Sequence, residues 1–200
     1  MSLNYWQIRF LRTGTMWTLP NILTFIRILF IPLLVAVYYL PIDGRYLIAA
    51  AIFGLAALTD WFDGYLARKL NQMTPFGAFL DPVADKLIVA VALVILVESR
   101  PTLWVALPAM IIICREILIS ALREWMAEMG KRTSVAVSAV GKIKTTLQMI
   151  AIALLLMAVP GVSSLLNYLG IFMLYIAAVL TLWSMIIYLV AAWPQLTAKD

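Results

Sequence analysis

Six apolar stretches, at about 22–40, 46–66, 83–97, 102–122, 139–159 and 165–192, follow one another with turns as short as "LPIDGR", "ESRPT" and "VPGVSS" between them. A hydrocarbon layer is crossed by roughly 20 apolar residues in a helix, and within it only helices and closed barrels satisfy their own backbone groups. Runs of this length are therefore read as helices. The expectation is an all-α, polytopic membrane protein of six transmembrane helices, with an N-terminal interfacial segment over residues 1–21 and one membrane domain over residues 22–200. Composition agrees, because 64% of the 200 residues are hydrophobic and only 12% are charged. Too little polar surface is left for a water-soluble fold or a separate soluble domain.

The opening stretch "MSLNYWQIRFLRTGTMWTLPN" mixes Trp6, Trp17, Arg9 and Arg12 with apolar positions, as a segment lying in the headgroup layer does. Met16 offers an alternative start, which would make residues 1–15 an extension, and no cleaved signal peptide is recognised. Cytoplasmic flanks collect Lys and Arg. With the amino end inside, all 15 basic residues except Arg45 and Arg100 fall on that side. Both termini are then cytoplasmic, and the formal charge of +5 suits a chain lying beside anionic lipid. No nucleic-acid partner is expected.

Any chemistry must come from carboxylates, since there is no histidine and a single cysteine, Cys114, that by itself forms no disulfide or thiolate cage. In "TDWFDGYLARKL", helical spacing puts Asp60, Asp63, Gly64, Ala67 and Arg68 on one face. After the predicted loop "KLNQMTPF" come Gly77, Asp81 and Asp85, so four of the ten acidic residues fall within 26 positions at a membrane boundary. Such charges are costly in a membrane and mark function by default. Ion pairing with Arg68, Lys69 and Lys86 is the structural alternative. Aspartate oxygens without histidine or cysteine suit a hard cation, magnesium or manganese, in a site for one ion or two. Magnesium completes its shell with phosphate oxygens, so a phosphorylated ligand is implied. Gly64 and Gly77 serve either its close approach or close helix packing.

The string Asp60-x2-Asp63-Gly64-x2-Ala67-Arg68-x8-Gly77-x3-Asp81-x3-Asp85 resembles the complete signature of the CDP-alcohol phosphotransferase family. The likeness implies a six-helix membrane enzyme that moves a phosphate-bearing group from a CDP-linked donor to an alcohol at a divalent-metal site. Asp60, Asp63, Asp81 and Asp85 would hold the metal, as two ions, with Asp85 also the general base. Gly64, Arg68 and Thr74 would hold the CDP moiety of CDP-diacylglycerol. Asn21 and Thr24 in "PNILT" would lie near that donor, or else cap a helix start. The strings "LPNILTFIRI", "DPVADK", "ICREI", "SALREWMAE" and "GKIKTTLQM" look like the bacterial branch that uses glycerol 3-phosphate. Likeness to that branch implies the bacterial inner membrane, a cytoplasmic active site and a homodimer in contact with membrane lipids.

A second basic group is Arg115, Arg123, Lys131, Arg132, Lys142 and Lys144. Lys131 and Arg132 are read as flanking charge. Arg115 follows the apolar "AMIIIC" and is expected to point into the bundle, because adjacent Glu116 diverges from it by about 100° on a helix. With Arg123, Lys142 and Lys144 it would bind a mobile phosphate, favouring glycerol 3-phosphate over an uncharged amino alcohol or serine, with inositol phosphate the alternative acceptor of the same chemistry. Trp183, Tyr188 and Trp193 are read as headgroup anchors or interface residues. A divalent-cation transporter is the rival from another class, disfavoured because the outer turns lack matching polar helices.

Overall fold

The computed structural model describes residues 18–70, 74–128, 139–162 and 164–196. Over these the chain forms six helices: α1 (Leu19–Tyr39), α2 (Arg45–Leu70), α3 (Pro75–Ser99), α4 (Leu103–Glu128), α5 (Ala139–Met157) and α6 (Leu165–Leu196). Most of the predicted interfacial segment, residues 1–17, lies outside the described residues, as do Lys131 and Arg132. The short turns run the chain up and down. Glycine makes two of them possible, with Gly44 at φ 73° between α1 and α2 and Gly161 at φ 78° between α5 and α6, a region costly for any residue with a Cβ.

The helices outrun the apolar stretches at the acidic end. α2 continues to Leu70, α4 continues to Glu128, and α3 starts at Pro75 rather than near residue 83. The predicted loop "KLNQMTPF" therefore shrinks to the segment around residues 71–74. Hydropathy reads only the part of a helix that matches lipid, whereas the backbone ladder continues through charged residues once a cap is present. Thr74 is that cap for α3, its hydroxyl accepting from the Gly77 N–H at 3.0 Å with Pro75 just behind it.

Among the described residues, α1, α4 and α6 are long and apolar enough to cross a membrane. α3 carries Asp81, Asp85 and Lys86 in its first half, and α5 has a shorter apolar stretch, Ile143–Met157. Pro32, Pro82 and Pro108 sit inside helices, as membrane helices tolerate.

α5 packs along α6 and α1 along α2, while α1 also lies on α3, α4 on α6 and α2 on α5. The centre is filled by Leu34, Phe53, Leu93, Leu96, Ile152 and Leu155. At Gly170 the helices touch directly, since an added Cβ would stand 2.6 Å from Leu155 Cγ. Small residues permit that approach where packing rather than water drives association. Outside, Leu29, Trp104, Phe172, Trp183 and Trp193 are exposed, an apolar girdle fit for lipid. Polar side chains gather at the two ends of the bundle.

Candidate active site

At one end, α1 supplies the floor. Thr18 caps this helix, its hydroxyl facing the Asn21 N–H at 3.5 Å, so neither Asn21 nor Thr24 is spent as the cap. Both are buried and reach instead for α3. Asn21 Oδ1 accepts from the Thr74 hydroxyl at 3.0 Å, and the Thr24 hydroxyl donates to Asp81 Oδ1. A Cβ on Gly77 would collide with Asn21 Oδ1 and stand 3.1 Å from Thr74 Oγ1. Of the two readings of Gly77, close helix packing is the one its surroundings match. Asn21, Thr24, Thr74 and Gly77 thus dock the start of α3 on the start of α1, which fixes where Asp81 stands.

One turn further along α1, the fully buried Arg27 places Nη1 2.8 Å from Asp60 Oδ1 on α2. A guanidinium among helices is costly without an anion beside it. Asp60 supplies that anion while its side chain remains 46% exposed, so it still faces the space at the end of the bundle. Asp85 is partly buried, within electrostatic reach of Asp60, Arg27, Glu116 and Lys86. Asp60 and Asp85 thus lie within reach of one another, while Asp81 is tied to α1 through Thr24. Asp63, Gly64 and Arg68 continue the backbone of α2, and their side chains lie outside the described residues. Among the described residues no three acidic, histidine or cysteine side chains form a metal-holding group.

The second basic group gathers across α4, α5 and α6. Arg115 donates from Nη2 to Ser184 Oγ at 3.1 Å, so it does point into the bundle. It also pairs with Glu116, Nη1 to Oε1 at 2.7 Å, contrary to the expectation from helical divergence. The divergence of about 100° applies to the Cβ directions, and two long side chains bend back across it. Lys144 Nζ lies 3.9 Å from the same Glu116 oxygen. Arg115 Nε and Lys144 Nζ are both buried without a hydrogen-bond partner. Arg123 is exposed and lays its guanidinium 5.1 Å from the centre of the Tyr188 ring. Tyr188, expected as an anchor, is thereby engaged within the chain. The side chain of Lys142 lies outside the described residues.

Two members of this end have no counterpart among the candidates read from sequence. Arg27 interrupts the apolar run "LTFIRILF" and Glu116 follows Arg115 in "ICREI". The rule that flagged the aspartates, charge within a spanning helix, applies equally to both.

Cavities lie at both ends. A cleft of about 180 Å³ between α3 and α4 is lined by Lys86, Glu116 and apolar residues. A larger one of about 640 Å³ lies at the opposite end, among Ser99, Arg100, Trp104 and Asn167. No carboxylate is among its described lining residues.

Residues 17–191 match the family model described as CDP-alcohol phosphatidyltransferase. The chain is 57% identical over 176 residues to proteins of Salmonella choleraesuis (strain SC-B67) and Escherichia coli (strain K12) named CDP-diacylglycerol--glycerol-3-phosphate 3-phosphatidyltransferase. Each match covers 88% of this chain and 95% of the relative. A Shigella flexneri protein of the same name is similar to the same extent.

Proposed function

The chain belongs to the CDP-alcohol phosphatidyltransferase family, and from that premise we propose that it transfers the phosphatidyl group of CDP-diacylglycerol to the sn-1 hydroxyl of glycerol 3-phosphate. The products are phosphatidylglycerophosphate and CMP. The observation that carries this reading is the pair of buried cations, Arg115 and Lys144, each with a hydrogen-bonding nitrogen unspent. Buried donors without partners cost stability, and a phosphomonoester supplies acceptors for both.

The donor set at the other cluster fits a divalent ion in its chemistry, being aspartate oxygens with no histidine or thiolate nearby. Asp60, Asp63, Asp81 and Asp85 would hold magnesium or manganese, one ion or two. When bound, such an ion offsets charge on the diphosphate and on departing CMP. Arg27 holds Asp60 in place through their ion pair, and Thr24 does the placing for Asp81. Arg68, Gly64 and Thr74 take the CDP end on the family resemblance, with Asn21 positioning Thr74. Arg115 and Lys144, together with Arg123 and Lys142, hold the phosphate of the acceptor. As the acceptor oxygen bonds to the lipid-bearing phosphorus and the bond to CMP breaks, the hydroxyl proton passes to Asp85. Holding both reactants in place supplies the larger share of the rate.

Six crossings of the bacterial inner membrane, with both termini and the acidic end cytoplasmic, belong to the same proposal. The positive-inside pattern supports it. The α3–α4 cleft beside Lys86 opens among apolar residues, as a lipid donor requires. Homodimer formation is proposed on family likeness, with the exposed Trp183 and Trp193 anchoring at headgroups. The deciding experiment is CMP release from CDP-diacylglycerol by purified protein in detergent, across a panel of glycerol 3-phosphate, inositol phosphate and serine. Release dependent on glycerol 3-phosphate is expected. Dependence on another acceptor would move the chemistry to that substrate, and cation flux into vesicles without CMP release would end it.

A further inference from the structure

Glu116 occupies an unusual place, because one oxygen of its carboxylate serves two buried cations unequally. Oε1 is 2.7 Å from Arg115 Nη1 and 3.9 Å from Lys144 Nζ. Lys144 is 6% exposed, and its Nζ makes no hydrogen bond at all. A single carboxylate reaching from the residue next to Arg115 fills this seat only in part. A phosphate group, with three terminal oxygens, would engage both cations fully. Resting on the acceptor reading above, we propose that Glu116 is a tethered counter-anion, seated on Arg115 and Lys144 between turnovers and displaced by the phosphate of the acceptor, and so a specificity-determining residue.

Two observations show where the displaced carboxylate goes. The Glu116 side chain is 29% exposed, so leaving the cations does not bury it elsewhere. It also lines the α3–α4 cleft together with Lys86, which offers a second cation on the far wall. Side-chain rotation alone makes the exchange, with no movement of a helix. The exchange has a consequence for selectivity. A neutral or zwitterionic alcohol such as glycerol or serine brings too little negative charge to displace the carboxylate, whereas a phosphomonoester dianion brings more than it replaces. Without Glu116 the two cations would stand uncompensated and bind any phosphate more tightly, including the inorganic ion. Glu116 thus gives up affinity in exchange for discrimination.

The test uses the full chain in detergent, with inorganic phosphate as calorimetric probe and the Michaelis constants of both substrates measured alongside. In Glu116→Gln, phosphate is expected to bind about fivefold tighter, as befits removal of a partly exposed competing charge. The KM for glycerol 3-phosphate should fall in parallel while that for CDP-diacylglycerol stays in place. Unchanged or weaker phosphate binding, or a raised acceptor KM, overturns the proposal and leaves Glu116 merely orienting Arg115. Should the glutamine variant not fold, Glu116→Asp answers the same question, since its shorter arm draws the carboxylate back from Lys144. It should tighten phosphate by a smaller factor, and no change overturns the idea. Lys144→Met separates the two levels: if it leaves phosphate binding and acceptor KM unaltered, the acceptor site itself is misplaced and the proposal falls with it. If it weakens both while Glu116→Gln fails to tighten them, the role of Glu116 alone is overturned.

Discussion

Arg100 and Arg115 are both buried arginines of this bundle, at opposite ends, and they are treated in opposite ways. Arg100 spends every nitrogen on the protein. Nε donates to Asn167 Oδ1 at 3.2 Å, Nη1 to Ser99 Oγ at 3.3 Å, and Nη2 to the carbonyls of Leu155, at 2.6 Å, and Ala158. It ties the last turn of α5 to the ends of α3 and the start of α6. Arg115, by contrast, shares Glu116 with Lys144, reaches Ser184, and keeps Nε without a partner. A fully satisfied buried cation is a structural fastening. An incompletely satisfied pair stores a cost that a ligand can relieve. Under the proposed function the first is a stabilising end and the second a working end, and substitutions can test that division.

The largest effect belongs to the carboxylates. Asp85→Asn preserves shape but takes no proton, so turnover should fall about a thousandfold, the middle of the range for a general base. CDP-diacylglycerol should still bind with near-normal affinity if the other aspartates hold the site. Donor binding and turnover are to be measured together at one magnesium concentration. A joint fall would reduce Asp85 to a ligand, and persistent turnover would place the base elsewhere.

The next effect comes from the other end and should not touch chemistry. Arg100→Gln removes the donors to two helix-terminal carbonyls and to Ser99 and Asn167, for a loss of about 3 kcal/mol. The loss is read as a lowered midpoint of thermal unfolding in detergent, with the KM for glycerol 3-phosphate unchanged. A normal midpoint with altered KM would reverse the assignment of the two ends.

Lys144→Met should do the converse. Acceptor KM is expected to rise about tenfold, the value of one charge-assisted hydrogen bond to phosphate. The unfolding midpoint should hold or rise, since a buried ammonium without a hydrogen bond is replaced by an apolar chain of similar length. Loss of stability with unchanged KM would make Lys144 a second fastening like Arg100.

Much of this division is legible in the sequence, and what is not has physical causes. Charge inside apolar runs pointed to Asp60, Asp81, Asp85, Arg115 and Lys144, all of which lie at the same end. The family signature, through its spacing, points to the same aspartates but not to Arg115 or Lys144. Asn21 and Thr24 were ambiguous because a short polar side chain near a helix start suits a cap and a tertiary contact alike, and only the presence of Thr18 one turn earlier resolves it. Helical periodicity argues against the pairing of Arg115 with Glu116 because it describes where side chains leave the backbone, not where long ones end. Arg27 carries no local signal of its role, because its partner, Asp60, lies 33 positions away on another helix. Helix ends were drawn short at the acidic side because hydropathy stops at the first carboxylate and hydrogen-bonded backbone does not.

The smallest effect sets burial against partner charge, in two adjacent tyrosines of which the buried one meets a hydroxyl and the exposed one a carboxylate. Tyr38 and Tyr39 are neighbours at the end of α1, and both hydroxyls donate at 2.9 Å to residues at the end of α3, Ser99 and Glu98 respectively. Tyr38 is 4% exposed and Tyr39 50%. Ser99 also receives Arg100, so Tyr38 extends the satisfied network while Tyr39 stands outside it at the surface. Water or headgroup oxygens can replace the partner of an exposed hydroxyl, whereas a buried acceptor left alone keeps its desolvation cost. Tyr38→Phe should therefore lower stability by about 1 kcal/mol, and Tyr39→Phe by at most about 0.5 kcal/mol. Both are measured as unfolding midpoints against the same reference, and neither should change the KM of either substrate. Equal losses would show that the opposite end is held by the number of its hydrogen bonds and not by their burial. The contrast between Arg100 and Arg115 would then need another cause. A graded pair, with the larger loss at Tyr38, ties the stabilising end to satisfied polar groups shielded from solvent, the condition that the working end lacks at Arg115 and Lys144.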